Sequence, residues 1–265
     1  MPGISVNNYI SPNSGLNETF NKAASGKRIN SAADDAAGSA IAERFNAQIS
    51  GLQQAQRNGL DAKSLIETED GALGSITAGI QRLQELSIQQ GNGILNDSDR
   101  AALNKEASQI TAQLQQTIEQ SSFNGKDLFQ QQGSAQDFNF QLGADAGEIV
   151  SLPANTTANP ILEGLAELDF STADASKNLN ALSDIQQVVT ERRTELGAVS
   201  NRIDQSIEQL ANEEENSQAA VSRVQDADFA KLVSDMVVEK IKQQSQFAVQ
   251  AQANASAENT LRLLS

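Results

Sequence analysis

The sequence predicts a mainly α protein: a long antiparallel, coiled-coil-like helical rod formed by its N- and C-terminal segments, with a small β-hairpin region in the middle. Three observations predict it. Apolar residues recur in alternating steps of three and four over about 32–90 and again over 182–224, the seam of helices that pack side by side. Only 4% of residues are aromatic and Trp is absent, a composition that suits long thin helices better than a thick globular core. Strict apolar–polar alternation over 138–142, a glycine-rich turn and a returning run over 148–152 mark a pair of half-buried strands.

Taken in order, residues 1–24 carry Ile4, Val6, Tyr9 and Ile10, but Pro12 and Asn13-Ser14-Gly15 break any helix there. A short helix over 16–24 would place Leu16 and Phe20 on one face; the alternative is a poorly ordered terminus. Ser25-Gly26 is a turn signal, followed by the basic pair Lys27-Arg28. Ser31 is placed to cap a helix beginning at Ala32, Asp34 completes a short-armed capping box, and Asp34 and Asp35 put negative charge in the first turn. Phe45, Leu52, Ile66, Leu73 and Ile80 form one row of this helix, and Ile41, Ala55, Ala62, Ile76 and Leu83 the adjacent one. Gly51, Gly59, Gly71, Gly74 and Gly79 are costly in a helix interior, and close approach of a neighbouring helix is the expected reason.

Gly91-Asn92-Gly93 ends the helix and the run Asn96 to Asp99 caps the next, whose stripe is Leu103, Ala107, Ile110, Leu114 and Ile118. It stops near Ser121 to Gly125. The short link predicts antiparallel neighbours. After the hairpin, 161–170 are expected to add a short helical or extended piece, and the sequon at Asn155 is discounted because Asn-x-Thr is frequent by chance. Over 182–224, Ile185, Val189, Leu196, Val199, Ile203, Leu210 and Val224 share one register, interrupted by Arg192, Ser206, Glu213 and Ser217. Asp226-Ala227-Asp228 caps a last helix with the apolar edge Phe229, Val233, Val237 and Ile241, widened by Leu232 and Met236, and closing on Leu263 and Leu264.

Function classes narrow quickly. With neither His nor Cys, the chain has no Ser-His-Asp or Cys-His mechanism and no thiolate or HExxH metal site, and no phosphate-binding glycine motif appears. The Asp34-Asp35 pair reads as helix-start charge and Glu213 to Glu215 as a solvated face, so neither an enzyme nor a cofactor is expected. A formal net charge of −15 argues against nucleic acid or an anionic membrane surface, and no apolar run is long enough for membrane insertion. No Sec-type leader is expected at the start of the sequence. Three long amphipathic helices with two weakly apolar termini bury too little surface in one chain. The termini are therefore expected to pair with other copies, and repeated contacts that do not close build a helical filament.

The stretch Ser25 to Phe45, SGKRINSAADDAAGSAIAERF, resembles the N-terminal signature of bacterial flagellins. The likeness continues through Gly51-Leu52, Ala55, Arg57-Asn58, Glu69, Gly71-Ala72-Leu73, the run Gln81 to Ser87 and Phe123-Asn124-Gly125. It resumes over Glu195 to Arg202, Asp226 to Ala230 and the final Leu263-Leu264. The resemblance implies a structural subunit of the flagellar filament that drives swimming motility, secreted through the flagellum's own type III export channel and extracellular. It implies inner-tube segments at 1–31 and 226–265, outer rod helices over 32–128 and 179–225, and a short variable region over 129–178. Pro12 and Gly15 depart from the longer amphipathic helix usual in the family, which implies a shortened inner-tube segment.

Implied partners are further copies of the chain, an export chaperone on the C-terminal segment, the filament cap and hook-associated proteins, and the flagellin-sensing toll-like receptor. Arg82, Glu85 and Leu86 fall in the motif resembling the receptor-contacting and subunit-contacting face, with Gln84 replacing a base found in many relatives. Lys27, Arg28, Asp34, Asp35, Asp226 and Asp228 are expected at the domain junction and in assembly, and Phe229, Val233, Val237, Ile241, Leu263 and Leu264 in terminal-helix packing. Two alternatives stand beside this reading. A hook–filament junction protein shares terminal helices with flagellins, though the Asp34 to Gly38 run and the Leu263-Leu264 ending favour flagellin; a monomeric acidic adhesin would display the hairpin instead.

Overall fold

The computed structural model describes residues 14–130, 135–172 and 174–264. The order is α1 (Ser14–Ser25), α2 (Ala36–Gln90), α3 (Asp97–Gln120), β1 (Ser122–Phe123), β2 (Lys126–Asp127), β3 (Phe138–Gln141), β4 (Ile149–Leu152), α4 (Ala158–Ala166), α5 (Ser176–Gln225) and α6 (Phe229–Leu264). The chain forms two compact units: 50–214, and the flanking 1–49 with 215–265. The expected class, mainly helical with a small antiparallel hairpin in the middle, is the class observed.

In the 50–214 unit the core runs along the predicted seams. Leu73, Ile76, Ile80 and Leu83 of α2 are fully buried, with Leu103, Ala107, Leu114 and Ile118 of α3 and Leu182, Ile185, Leu196 and Ile203 of α5. Polar pairs fix the directions: Arg82 and Gln90 of α2 meet Glu106 and Arg100 of α3, while Lys63 meets Asp204 and Asp70 meets Arg193 of α5, so both α3 and α5 run antiparallel to α2. The glycines divide. A β-carbon at Gly79 would lie 2.5 Å from Leu114 Cδ2 and one at Gly59 2.9 Å from Ile207 Cγ1, so close approach explains both. Gly71 and Gly74 face open space, and the packing of the single chain gives no reason for them.

The middle is more ordered than its composition suggests. Asn124 (φ 50°) and Gly125 (φ 76°) make the two-residue left-handed turn that joins β1 to β2, the reason for the Asn-Gly pair there. β3 and β4 pair with Phe138 opposite Leu152 and Gln141 opposite Ile149, so Val150 and Leu152 face the helices. The piece expected over 161–170 is a helix that starts earlier, at Ala158, and buries Ile161 and Leu165.

At the start of α2 the sequence reading needs correction. The helix begins at Ala36, not Ala32, and its cap is Asp35: the carboxylate accepts from Gly38 N at 2.9 Å and the Asp35 carbonyl accepts from Ser39 N. Asp34 instead closes its own loop, with Oδ2 accepting from Ser31 N (2.9 Å), Ser31 Oγ and Asn30 N. The Ser31 and Asn30 amides hold its carboxyl below the usual range. The capping box is thus reversed: the aspartate reaches back to the serine, and Ser31 caps no helix. The buried stripe also shifts by one position. Ala42 is buried and Ile41 exposed, because Ile29 packs on Gly38, where a β-carbon would come within 2.6 Å of Ile29 Cδ1. Asp35→Ala is expected to cost about 1 kcal/mol at this helix start. Faster amide exchange at Gly38 and Ser39, with 50–214 unchanged, checks it.

Candidate assembly surfaces

Four constellations are built from the residues singled out in the sequence and from those it hid. The first is the joint between α5 and α6 in the flanking unit. The turn after α1 lies against it as a one-pair antiparallel bridge, Lys27 opposite Asp226. Arg28 N donates to Gln225 O at 2.7 Å, Ala227 N donates to Gly26 O at 3.0 Å, and Gln225 Nε2 donates to Ile29 O at 3.2 Å. Arg28 Nη2 donates to Val224 O at 2.7 Å, a cation on the last carbonyls of α5 where the helix dipole favours it. Asp228 caps α6, its Oδ1 accepting from Ala230 N and Lys231 N. The structure thus brings Lys27, Arg28 and Asp226 together through main-chain pairing. Asp34 sits 3.8 Å from Lys22 and Asp35 serves α2.

The second is the α1–α6 pair. Leu232 is buried and Met236 half-buried on one side of α6, and Glu239 lies beside Gly15 of α1. The edge expected to pack does not pack within the chain: Phe229 is 68% exposed, Val237 48% and Ile241 56%, with Val233 also exposed. Among the described residues, α1 has 12 residues against 36 in α6 and covers one side of it. Phe20 of α1 is exposed too. The side chains of Leu16, Leu263 and Leu264 lie outside the described residues.

The third lies on α2 in the 50–214 unit. Arg82 Nη1 donates to Glu85 Oε2 at 2.7 Å, and its Nε and Nη2 donate to Glu106 Oε1 of α3 at 3.0 and 2.5 Å. Arg82 and Glu85 are on the surface as expected, whereas Leu86 is corrected: it is 1% exposed and belongs to the core. The reason is its spacing, three residues after Leu83 and six after Ile80, which puts it on the seam. Ile88, 66% exposed, and Ile94, 87% exposed, were not anticipated; their isolation from any heptad was the available signal.

The fourth is an ion pair that sequence reading did not assemble. Arg192 of α5 and Glu69 of α2 form a two-pronged contact, Nε to Oε1 at 2.7 Å and Nη2 to Oε2 at 3.2 Å, with side chains 3% and 0% exposed. Glu195 accepts from Arg192 Nη1 at 2.7 Å and Asn155 Nδ2 donates to Glu69 Oε1 at 2.8 Å. Burial pushes the Glu69 carboxyl above its ordinary value, against the pull of Arg192 and Asn155. Asn155 is fully buried and also accepts from Thr157 N and Oγ1, so the sequon asparagine anchors the loop and its amide is inaccessible in the folded chain.

None of these arrangements aligns a nucleophile with a base. Among the described residues, no group of three or more acidic side chains is placed to hold a metal ion, and no helix is long and apolar enough to cross a membrane. What the surfaces offer is exposed apolar area along one helix, which marks contact with another molecule.

Comparison with known proteins gives the same direction. The bacterial flagellin N-terminal helical region matches residues 4–134 and the flagellin C-terminal helical region matches 179–264. The chain is 37% identical over 249 residues to a flagellin of Halalkalibacterium halodurans, covering 93% of this chain and 91% of that one. It is 34% identical over 292 residues to the flagellin of Bacillus subtilis, covering 98% and 96%. The crystal structure of Bacillus cereus flagellin superposes with a TM-score of 0.53 at 28% identity, over 58% of this chain and 88% of that one. A putative flagellar hook-associated protein from Vibrio parahaemolyticus shares the fold, with a TM-score of 0.64 at 17% identity over 73% of this chain and 100% of that one. Two helical end regions, a short middle and relatives matched over nearly their whole length leave one assignment: the chain belongs to the bacterial flagellin family, a structural subunit of the flagellar filament.

Proposed function

We propose that this subunit polymerises by burying the exposed edge of α6, with Phe20 of α1, against neighbouring copies, and that the 50–214 unit presents Arg82, Glu85 and Glu106 to a second contact. The observation that carries the reading is the row Phe229, Val233, Val237 and Ile241, which the single chain leaves in water. Burying one such side chain is worth about 1.5–3 kcal/mol, so the row supplies a driving force for association. The joint of Lys27, Arg28 and Asp226 then sets where the α1–α6 pair leaves α5. Before assembly the same apolar row needs cover, which supports an export chaperone on the C-terminal segment. The same exposed row is the surface that filament cap and hook-associated proteins would meet. Export through the flagellar type III channel follows from the family. On concentration, purified protein is expected to show a threshold in light scattering and long tubes in negative-stain micrographs. A chain that stays monomeric at every concentration, as an acidic adhesin would, overturns the reading.

The face of Arg82 tests separately. Its contacts to Glu85 and Glu106 lie in solvent, where ion pairs contribute little to stability. Arg82→Ala is therefore expected to leave thermal unfolding unchanged while weakening either filament contacts or activation of the flagellin-sensing toll-like receptor. Unaltered polymerisation and unaltered receptor signalling together would remove this face from both roles.

A further inference from the structure

We propose that Asn92 is a site of spontaneous covalent modification, losing its side-chain amide to give aspartyl and isoaspartyl residues well ahead of the other Asn-Gly pairs in the chain. There are three such pairs, at 58–59, 92–93 and 124–125, and the fold treats them differently. Asn-Gly is the dipeptide in which the following backbone nitrogen is least hindered from attacking the asparagine side chain. The attack requires that nitrogen to be free to swing toward Cγ.

Asn58-Gly59 lies inside α2, where the glycine amide is held in the helical ladder, and Asn58 Nδ2 is occupied by Gln141 O at 3.0 Å. Asn124-Gly125 is pinned as the left-handed turn between β1 and β2, closed on either side by the strand pairs Phe123–Lys126 and Ser122–Asp127. Asn92-Gly93 lies in the link between α2 and α3, flanked by Gly91, where Asn92 N donates to Gln89 O at 3.0 Å and Asn92 O accepts from Leu95 N at 3.2 Å. A β-carbon at Gly93 would meet no heavy atom within 4 Å, as at Gly125, so what sets this pair apart is the amide of Ile94. Asn92 is exposed, and its Oδ1 accepts from Ile94 N at 3.3 Å. That donor polarises the amide carbonyl and faces the oxygen on which negative charge develops during attack, as a backbone amide does in an oxyanion hole.

The chemistry balances with water alone. The Gly93 nitrogen gives its proton to hydroxide and bonds to Asn92 Cγ. The Cγ–Nδ2 bond breaks, and ammonia leaves carrying a proton returned by water. Water then opens the five-membered imide. Opening at Cγ restores the backbone as an aspartyl residue, and opening at the main-chain carbonyl routes the chain through the side chain as isoaspartyl. Either product adds one negative charge, and the second lengthens the α2–α3 link beside Gln90, whose buried amide donates to Asp169 O and Thr172 O.

The test uses the full chain, incubated at mildly alkaline pH and digested for mass spectrometry. The peptide over 83–100 is expected to gain one mass unit and to split into two chromatographic peaks, about tenfold faster than peptides carrying Asn58 or Asn124. Asn92→Gln should abolish the change. Ile94→Pro, which removes the facing N–H, should slow it several-fold with helicity retained. In concentrated urea the three sites should converge, since the ordering comes from the fold. Loss at Asn124 as fast as at Asn92, an unaffected Ile94→Pro rate, or an ordering that survives in urea would each overturn the proposal.

Discussion

Arg192→Ala is expected to destabilise the 50–214 unit by about 3–5 kcal/mol, the cost of removing one partner from a buried ion pair. Glu69 is 0% exposed, and without the guanidinium its remaining contact is Asn155 Nδ2. Glu69→Ala should cost less, because Arg192 keeps Glu195, whose carboxylate is 41% exposed and hydrated. The two variants also separate by pH. Burial already raises the Glu69 carboxyl in the intact protein, and removing Arg192 raises it further. A carboxyl whose folded value exceeds its unfolded value, about 4.3, favours the folded state below that unfolded value and loses this contribution as pH rises through the folded one. Arg192→Ala should therefore lose most stability near neutrality and recover part of it near pH 4–5, relative to the intact chain at the same pH. Hydrogen exchange at core amides of α2 and α5 gives the local free energy without assuming that both units unfold together. A loss under about 1 kcal/mol, or one that does not vary with pH, would show that the buried pair contributes little.

This pair also shows where sequence reading reached its limit. The seams of α2 and α5 were legible because each buried side chain repeats every three or four residues, a signal carried within one helix. Leu52, Leu73, Ile80, Leu196 and Ile203 are found where that period places them. Arg192 was visible only as an interruption and Glu69 only as part of a motif; their pairing spans 123 positions, and no local pattern links them. Similarly, Ser31 and Asp34 have the spacing of a capping box, but spacing does not say which partner accepts. Asp34 accepting from Ser31, and Ile29 resting on Gly38, moved the helix start to Ala36. At α6 the apolar period was legible and its coverage was not, since one amphipathic edge looks the same in sequence whether its partner is in the same chain or in another.

A chain ending at Asp228 is expected to keep the 50–214 fold and to form no filaments. The core of that unit, from Ala62 to Ile203, contains nothing from α6, so amide exchange over 50–214 should match the full chain. What the deletion removes is Phe229, Val233, Val237 and Ile241, all exposed in the single chain. If polymerisation buries the row, the four contribute on the order of 6–12 kcal/mol per subunit before the entropy of association is subtracted. A factor of ten in critical concentration corresponds to about 1.4 kcal/mol, so loss of the whole row puts assembly out of reach. Val237→Lys grades the claim: it leaves Leu232 and Met236 in place beside α1 and places one charge in the proposed contact. It should raise the critical concentration at least about tenfold with helicity unchanged. Normal tubes from either variant at the concentration that suffices for the full chain would mean that the α6 edge faces solvent in the filament, and that the contacts holding subunits together lie elsewhere in the chain.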